Sequence, residues 1–322
     1  MVVGVDLGGT KVQSVLVDSQ KVIGQGRVRT PRGDAEEVVE AVLNTIDIAL
    51  GESKAKRSDV SVVGIGFPGE FDARTGDTTG AVNLHGFQER YPLSRKISKA
   101  MGGAPVVLDN DVRAALLGEY QLGSGRGFKN LLGVFVGTGV GGGLVLDGRL
   151  RHGRGASGEV GHTVVMARGL ECGCGRLGCL EAYAGRGRME VRARHLVEKG
   201  EKTILFEIMQ KKDRDRLTSG VFAAALAADD RMARRLIDDA VWALGISLAS
   251  VQNLLDLEAI IVGGGLGDRL GAPFVERVAE AMQPHLFLDK NPPEMLTTTL
   301  GDLSGAVGAA LLAAGDGREA TS

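Results

Sequence analysis

Aromatic side chains are scarce, with one Trp, three Tyr and nine Phe making 4% of 322 residues. That excludes an extended stacking platform for nucleic-acid bases. Net charge is also lacking: 38 Lys and Arg against 40 Asp and Glu leave −2, with a pI near 6.3, so no global electrostatic attraction to nucleic acid exists. The most apolar internal stretch, Ala240 to Val251, lies between the Asp238-Asp239 and Gln252-Asn253 pairs; it is too short to span a bilayer and reads as a core helix. No Gly-Lys-Ser/Thr ending occurs, which excludes a P-loop. A strand begins by residue 2, which leaves no room for a signal peptide or a leading DNA-binding domain. Cysteine is rare too, and its three copies are not scattered.

Cys172, Cys174 and Cys179 crowd together, and His162 lies upstream in Gly158-Glu159-Val160-Gly161-His162. The pattern His-x9-Cys-x-Cys-x4-Cys offers soft thiolate and imidazole ligands for a closed tetrahedral zinc site, structural because no position is left for water. The competing reading is three buried free thiols; clustering between Gly173, Gly175 and Gly178, which let the loop double back, favours metal. Glu159 and Glu181 flank this knuckle, as solvated surface glutamates or as the walls of a polar site. Unpaired thiols, the zinc knuckle and no export segment point to the reducing cytoplasm.

Forty-nine glycines beside 43% apolar residues indicate a globular chain full of tight turns. The length allows two domains, each with its own core. Val2 to Val5 is a short strand, Asp6 to Lys11 a turn, Val12 to Asp18 a returning strand and Lys21 to Thr30 a third. Asp34 and Glu37 then start a helix with apolar positions from Val38 to Leu50 at helical spacing. Strands follow at Val60 to Gly66 and Pro105 to Leu108, with helices near Leu93 to Met101 and Val112 to Leu122. The second half repeats the plan. Gly4 to Thr10 sets against Gly133 to Gly139 without a gap until Asp18 meets Asp147, and Val62 to Gly69 sets against Ile260 to Gly267. Leu296 to Leu300 and the helix from Leu303 to Ala314 echo the elements around Asp111. Extra material, the knuckle and helices over Leu180 to Val197, Phe222 to Ala228 and Arg231 to Leu255, belongs to the second half alone.

Gly64-x-Gly66-x-x-Gly69 and Gly137-x-Gly139-x-x-Gly142 match a dinucleotide fingerprint literally, but each glycine run leads away from a helix, so both read as false positives. In a tight hairpin turn the same glycines bare backbone N–H groups for phosphate oxygens, with Thr10, Lys11 and Thr138 adding donors. Asp6, at a strand end, suits the waters of a magnesium ion. Asp109-Asn110-Asp111 joins a buried strand to a helix; Asp111 reads equally as a helix cap or as a carboxylate taking a proton. Asn83 reads equally as a turn residue or as a polyol ligand. Arg186, Arg188, Arg192, Arg194 and His195 make no single helical face, and a solvated helix is expected there.

At these residues the chain resembles the ROK family of repressors, open reading frames and kinases, and within it the bacterial zinc-containing glucokinases. The resemblance runs from Asp6-Leu7-Gly8-Gly9-Thr10-Lys11 to Gly305-Ala306-Val307-Gly308-Ala309-Ala310 and is most specific at Gly158 to His162 and Cys172 to Glu181. It implies an α/β, two-lobed actin-like ATPase (ribonuclease H-like) fold with duplicated βββαβαβα lobes and a cleft between them. The lobes expected are residues 1–118 joined by helix 303–314, and 119–302 with the knuckle at 162–179. The resemblance implies transfer of the γ-phosphoryl of Mg-ATP to the 6-hydroxyl of glucose, with Asp111 as base. Asn83, Asn110, Asp111, Glu159, His162 and Glu181 would hold the sugar. Asp6, Gly8, Gly9, Thr10 and Lys11 with Gly137, Thr138 and Gly139 would serve the phosphates, and Gly263, Gly264, Gly265 and Leu266 the adenosine. His162 would turn one ring nitrogen to zinc and the other to sugar, while family members are usually dimers or tetramers. Mannose, fructose, allose, N-acetylglucosamine or N-acetylmannosamine remain open as acceptors, as does polyphosphate as donor; a sugar-sensing regulator and a zinc-bearing nucleic-acid module are the readings from other classes. Two departures stand out: the family's Glu-Asn-Asp-Ala-Asn-Ala is here Asp109-Asn110-Asp111-Val112-Arg113-Ala114, and Phe87 replaces a frequent tryptophan.

Overall fold

The computed structural model describes residues 1–81 and 84–315. The chain divides into two compact units, 1–126 with the segment from Asp302, and 127–301.

The first unit opens with β1 (Val2–Leu7), β2 (Lys11–Asp18) and β3 (Lys21–Arg29), then α1 (Ala35–Glu52), β4 (Val62–Phe67), the small hairpin β5 (Glu70–Phe71) and β6 (Thr78–Gly80), α2 (Leu93–Ala100), β7 (Val106–Asn110) and α3 (Asp111–Leu122). Its main sheet runs β3-β2-β1-β4-β7, antiparallel across the opening hairpins and parallel from β1 to β7. Asp34 caps α1, its carboxylate accepting from the Glu37 N–H at 3.0 Å, and Val38, Val42 and Ile46 then turn fully inward. Parallel central strands are buried on both faces. Here Val3, Val5, Val63 and Ile65 pack into one apolar cluster with α1.

The second unit holds β8 (Leu131–Val136), β9 (Val140–Leu146), β10 (Arg149–Leu150), α4 (Leu180–Ala184), α5 (Arg186–Glu198), α6 (Leu205–Lys211), α7 (Ser219–Ala227), α8 (Arg231–Leu255), β11 (Ala259–Gly263), α9 (Gly264–Leu270), α10 (Ala272–Met282) and β12 (Glu294–Thr297). Its sheet, β10-β9-β8-β11-β12, repeats the first in strand order and direction. The long helix α8 is capped by Asp230 on the Ala233 N–H at 2.8 Å.

The last helix, α11 (Ser304–Ala314), returns to the first unit. It lies against β1, β4 and α3 at backbone distance, because glycines leave the space. A Cβ on Gly4 would strike Ala306 O, one on Gly64 would strike Ala309 O, and one on Gly308 would strike Ala114 O.

The duplication holds at the level of strands, yet two residue correspondences shift. Leu7 pairs with Val12 in the first hairpin and Val136 with Val140 in the second. The second turn is therefore one residue shorter, and Asp18 corresponds to Leu146 rather than Asp147. Gly64 stands opposite Gly4, while Ile261 stands opposite Gly133; Gly64 thus matches Ile261, and Gly66 matches Gly263. Hydrogen-bonded register decides the matter, since a slip of one residue would turn every side chain to the other face. Neither literal G-x-G-x-x-G run opens a helix: Gly69 leads into β5 and Gly142 lies inside β9.

Candidate active site

In the first unit, the turn between β1 and β2 is closed by the Gly8 N–H on the Lys11 carbonyl at 3.0 Å. Thr30, just past the end of β3, fastens it, its N–H on Thr10 O at 3.1 Å and its hydroxyl on Gly8 O at 2.6 Å. Gly9 and Thr10 are left exposed at the tip. Lys11 reaches Asp302 at 2.8 Å and Gln13 at 3.2 Å, and Arg27 takes the other Asp302 oxygen at 3.0 Å. Asp6 lies just before this turn, walled by Gly305, where a Cβ would come within 2.9 Å of its Cγ. Burial pushes its carboxyl up to about 6, with Lys11 opposing and Asp302 reinforcing.

At the end of β7, Asn110 and not Asp111 caps α3: its side-chain oxygen accepts from the Val112 and Arg113 N–H groups, each at 3.1 Å. Asp111 is the first helical residue, half-buried, with an oxygen 2.9 Å from the Val112 N–H. Capping thus engages the carbonyl end of Asn110 and leaves its amide donors for other work. Below them Asp109 and Arg113 form a buried pair at 2.7 Å, both side chains 8% exposed. Asp109 also accepts from the Asn110 N–H at 2.7 Å, so the pair braces the corner that presents Asp111. Asn83 lies outside the described residues.

In the second unit, the turn Gly137–Gly139 is held from one neighbouring segment. The Arg186 and Gly187 N–H groups donate to Gly137 O and Thr138 O at 3.1 and 2.9 Å, and the Val140 N–H donates to Glu181 Oε2 at 2.9 Å. These bonds divide at Gly185 what the sequence suggests is one helix from Leu180 to Val197. They also turn Arg186 inward toward Thr138, at 3.4 Å from its hydroxyl, so the basic stretch is not a uniformly solvated face. Arg188 meets Glu171 O, Arg192 meets Asp239 and Arg194 meets Glu190. Gly263 to Leu266 spans the end of β11 and the start of α9, Leu266 buried and Gly265 exposed.

Glu181 links this turn to the cysteines, its second oxygen 3.6 Å from Cys172 Sγ. Glu159 is exposed, and its carbonyl accepts from the His162 N–H at 3.0 Å. The ligand atoms of His162, Cys172, Cys174 and Cys179 all lie within 4.8 Å of one another. Tetrahedral zinc with bonds of about 2.3 Å to sulfur requires sulfurs about 3.8 Å apart. Cys174 and Cys179 stand 3.8 Å apart, and Cys172 is 3.9 Å from His162 Nδ1. The donor set therefore fits zinc. Two of the loop glycines, Gly175 and Gly178, adopt the left-handed conformation that the doubling back needs, at φ +80° and +81°; Gly173 does not. Burial pushes the Cys172 thiol up to about 12, while the Arg176 N–H draws Cys174 down to about 6.

Asp302, Arg113 and Arg186 contact candidate site residues, and the sequence alone does not mark them as doing so. No local pattern connects Lys11 with Asp302, 291 positions away. The change from asparagine to arginine at Arg113 was visible, but its partner was not.

The sequence pattern of the ROK family matches residues 2–316. A glucokinase of Streptomyces coelicolor is 33% identical over 97% of this chain and 97% of its own. An N-acetylmannosamine kinase of Haemophilus influenzae is 30% identical over 95% of this chain and 92% of its own. Among solved structures, a ROK glucokinase of Streptomyces griseus in complex with glucose and AMPPNP superposes with a TM-score of 0.80, at 31% identity over 98% and 99% of the two chains. The fold is that of the actin-like ATPases in their sugar-kinase form.

Proposed function

We propose, from the premise that this chain belongs to the ROK family, that it is an ATP-dependent sugar kinase acting on glucose. The observation that carries the reading is the end-to-end likeness to a glucokinase crystallised with glucose and an ATP analogue. The local chemistry supports it. Asp111 sits at a strand-to-helix corner where the capping duty falls to Asn110, which suits it to accept the proton of the 6-hydroxyl, help worth roughly 10²- to 10⁴-fold in rate. Asn110, Glu159, His162, Glu181 and Asn83 orient the sugar. The Gly8–Lys11 and Gly137–Gly139 turns offer backbone N–H groups to phosphates, and Lys11 adds a cation to the first. Gly263 to Leu266 borders the nucleoside. Asp6 is a hard oxygen donor suited to magnesium, which when bound neutralises phosphate charge. Zinc on His162 Nδ1 and the three thiolates would leave Nε2–H as a fixed donor toward sugar.

Turnover of a hexose panel with ATP and with polyphosphate tests this reading; fastest consumption with glucose and ATP is expected. N-acetylmannosamine belongs in the panel because a relative of similar identity bears that name, and preference for it would move the assignment. Asp111→Asn should lower kcat at least about 100-fold while glucose binding persists. Near-normal turnover would refute Asp111 as base. Light scattering tests the dimer or tetramer that belongs to the same reading. Among the described residues no helix is long and apolar enough to cross a membrane.

A further inference from the structure

The two hairpin turns differ in charge. Gly8-Gly9-Thr10-Lys11 carries its own cation, whereas Gly137-Thr138-Gly139 carries none. Arg186 brings a cation to this turn from the start of α5. Its backbone N–H is bonded to Gly137 O at 3.1 Å, and its guanidinium reaches Thr138 Oγ1 at 3.4 Å and Leu217 O at 3.2 Å. Both side-chain bonds go to neutral oxygens. Its Nε is sealed from solvent without a hydrogen-bond partner, and among the described residues no carboxylate pairs with it. The acid that influences it, Glu190, is occupied by Arg194 at 2.6 Å and the Leu217 N–H at 2.8 Å. Gly265 bounds the other side, where even a Cβ would stay 3.9 Å from Nη2. A largely desolvated guanidinium without counter-charge is costly unless an anion completes it. Its planar fork also suits phosphate oxygens better than a lysine would.

We propose that Arg186 binds a phosphate group of the donor nucleotide, as the cation of the second turn. The inference rests on the kinase reading above. Arg186→Gln should weaken ADP binding about tenfold or more, the size expected for a lost charge-assisted hydrogen bond. Adenosine, without phosphates, and glucose should bind as before. Inorganic tripolyphosphate should compete with ATP in the unaltered protein and lose potency in the variant. Calorimetry with ADP, adenosine and glucose in turn reads the first three. Arg186→Lys keeps a charge and a long stem, so where the glutamine variant does not fold it still reports, with a smaller loss confined to ADP. Equal losses for ADP and adenosine, or unchanged ADP binding, would overturn the proposal, as would failure of the unaltered protein to bind ADP at all. An unaltered protein that binds ADP but phosphorylates no sugar would sink the kinase reading alone, because the ADP-to-adenosine contrast still reads Arg186.

Discussion

Asp6 is held in the folded chain at an energetic cost, and removing its charge should make the free protein more stable. Its carboxyl is raised from 3.8 to about 6, chiefly by burial, with Lys11 pulling the other way. The folded state therefore holds the proton more tightly than the unfolded chain, so stability falls as pH rises through that window and levels off above it. A shift of this size corresponds to about 3 kcal/mol at pH 7. Near pH 4 little of it remains, because the folded carboxyl is mostly protonated. Asp6→Asn keeps the shape and removes the charge. Urea unfolding in magnesium-free buffer should show the variant more stable by about 3 kcal/mol at pH 7 and by less than about 1 kcal/mol at pH 4. Turnover should be lost in the same variant, since the acid that destabilises the free protein is the one placed beside the phosphate turn. Magnesium and nucleotide should narrow the stability gap at pH 7 by binding the unaltered protein. A variant no more stable at pH 7, or equally stabilised at both pH values, would refute the reasoning.

Cys179→Ser should release zinc, read by elemental analysis, and raise the KM for glucose, because the cluster fixes the ring of His162, a proposed sugar ligand. Arg113→Met should destabilise the fold by about 3–5 kcal/mol by stranding the charge of the buried Asp109. Adding Asp109→Asn should recover part of that loss, a coupling that urea unfolding of the single and double variants measures. Gly308→Val should cost more than about 4 kcal/mol, or prevent folding, because the new side chain meets the Ala114 backbone. Gly51→Ala, in a helix with nothing within 4 Å of the new atom, should instead stabilise by about 0.4–1 kcal/mol, read as a raised Tm.

These contrasts also mark what could be read from the chain before its structure. Local information sufficed where the cause is local: Asp34 caps α1, the Arg231–Leu255 helix follows its apolar spacing, and four side chains able to ligate a metal announce themselves by type and proximity. The duplicated order of strands was legible for a similar reason, since each glycine turn sits between apolar runs. Register was not. A gapless alignment counts residues along the chain, whereas pairing counts them across hydrogen bonds, and a turn one residue shorter separates the two by one place. The site divides along the same line. Asp111 could be nominated from its position after a buried strand, but its distinction from a cap depends on which neighbouring side chain takes the Val112 and Arg113 N–H groups, and that is a matter of rotamer. Arg186 looked like one of several surface arginines because its neighbours are. Only the bonds from Arg186 and Gly187 to the distant Gly137–Thr138 turn break the helix at Gly185 and swing that one guanidinium inward. Residues whose role is fixed by partners far along the chain therefore escape a reading by pattern.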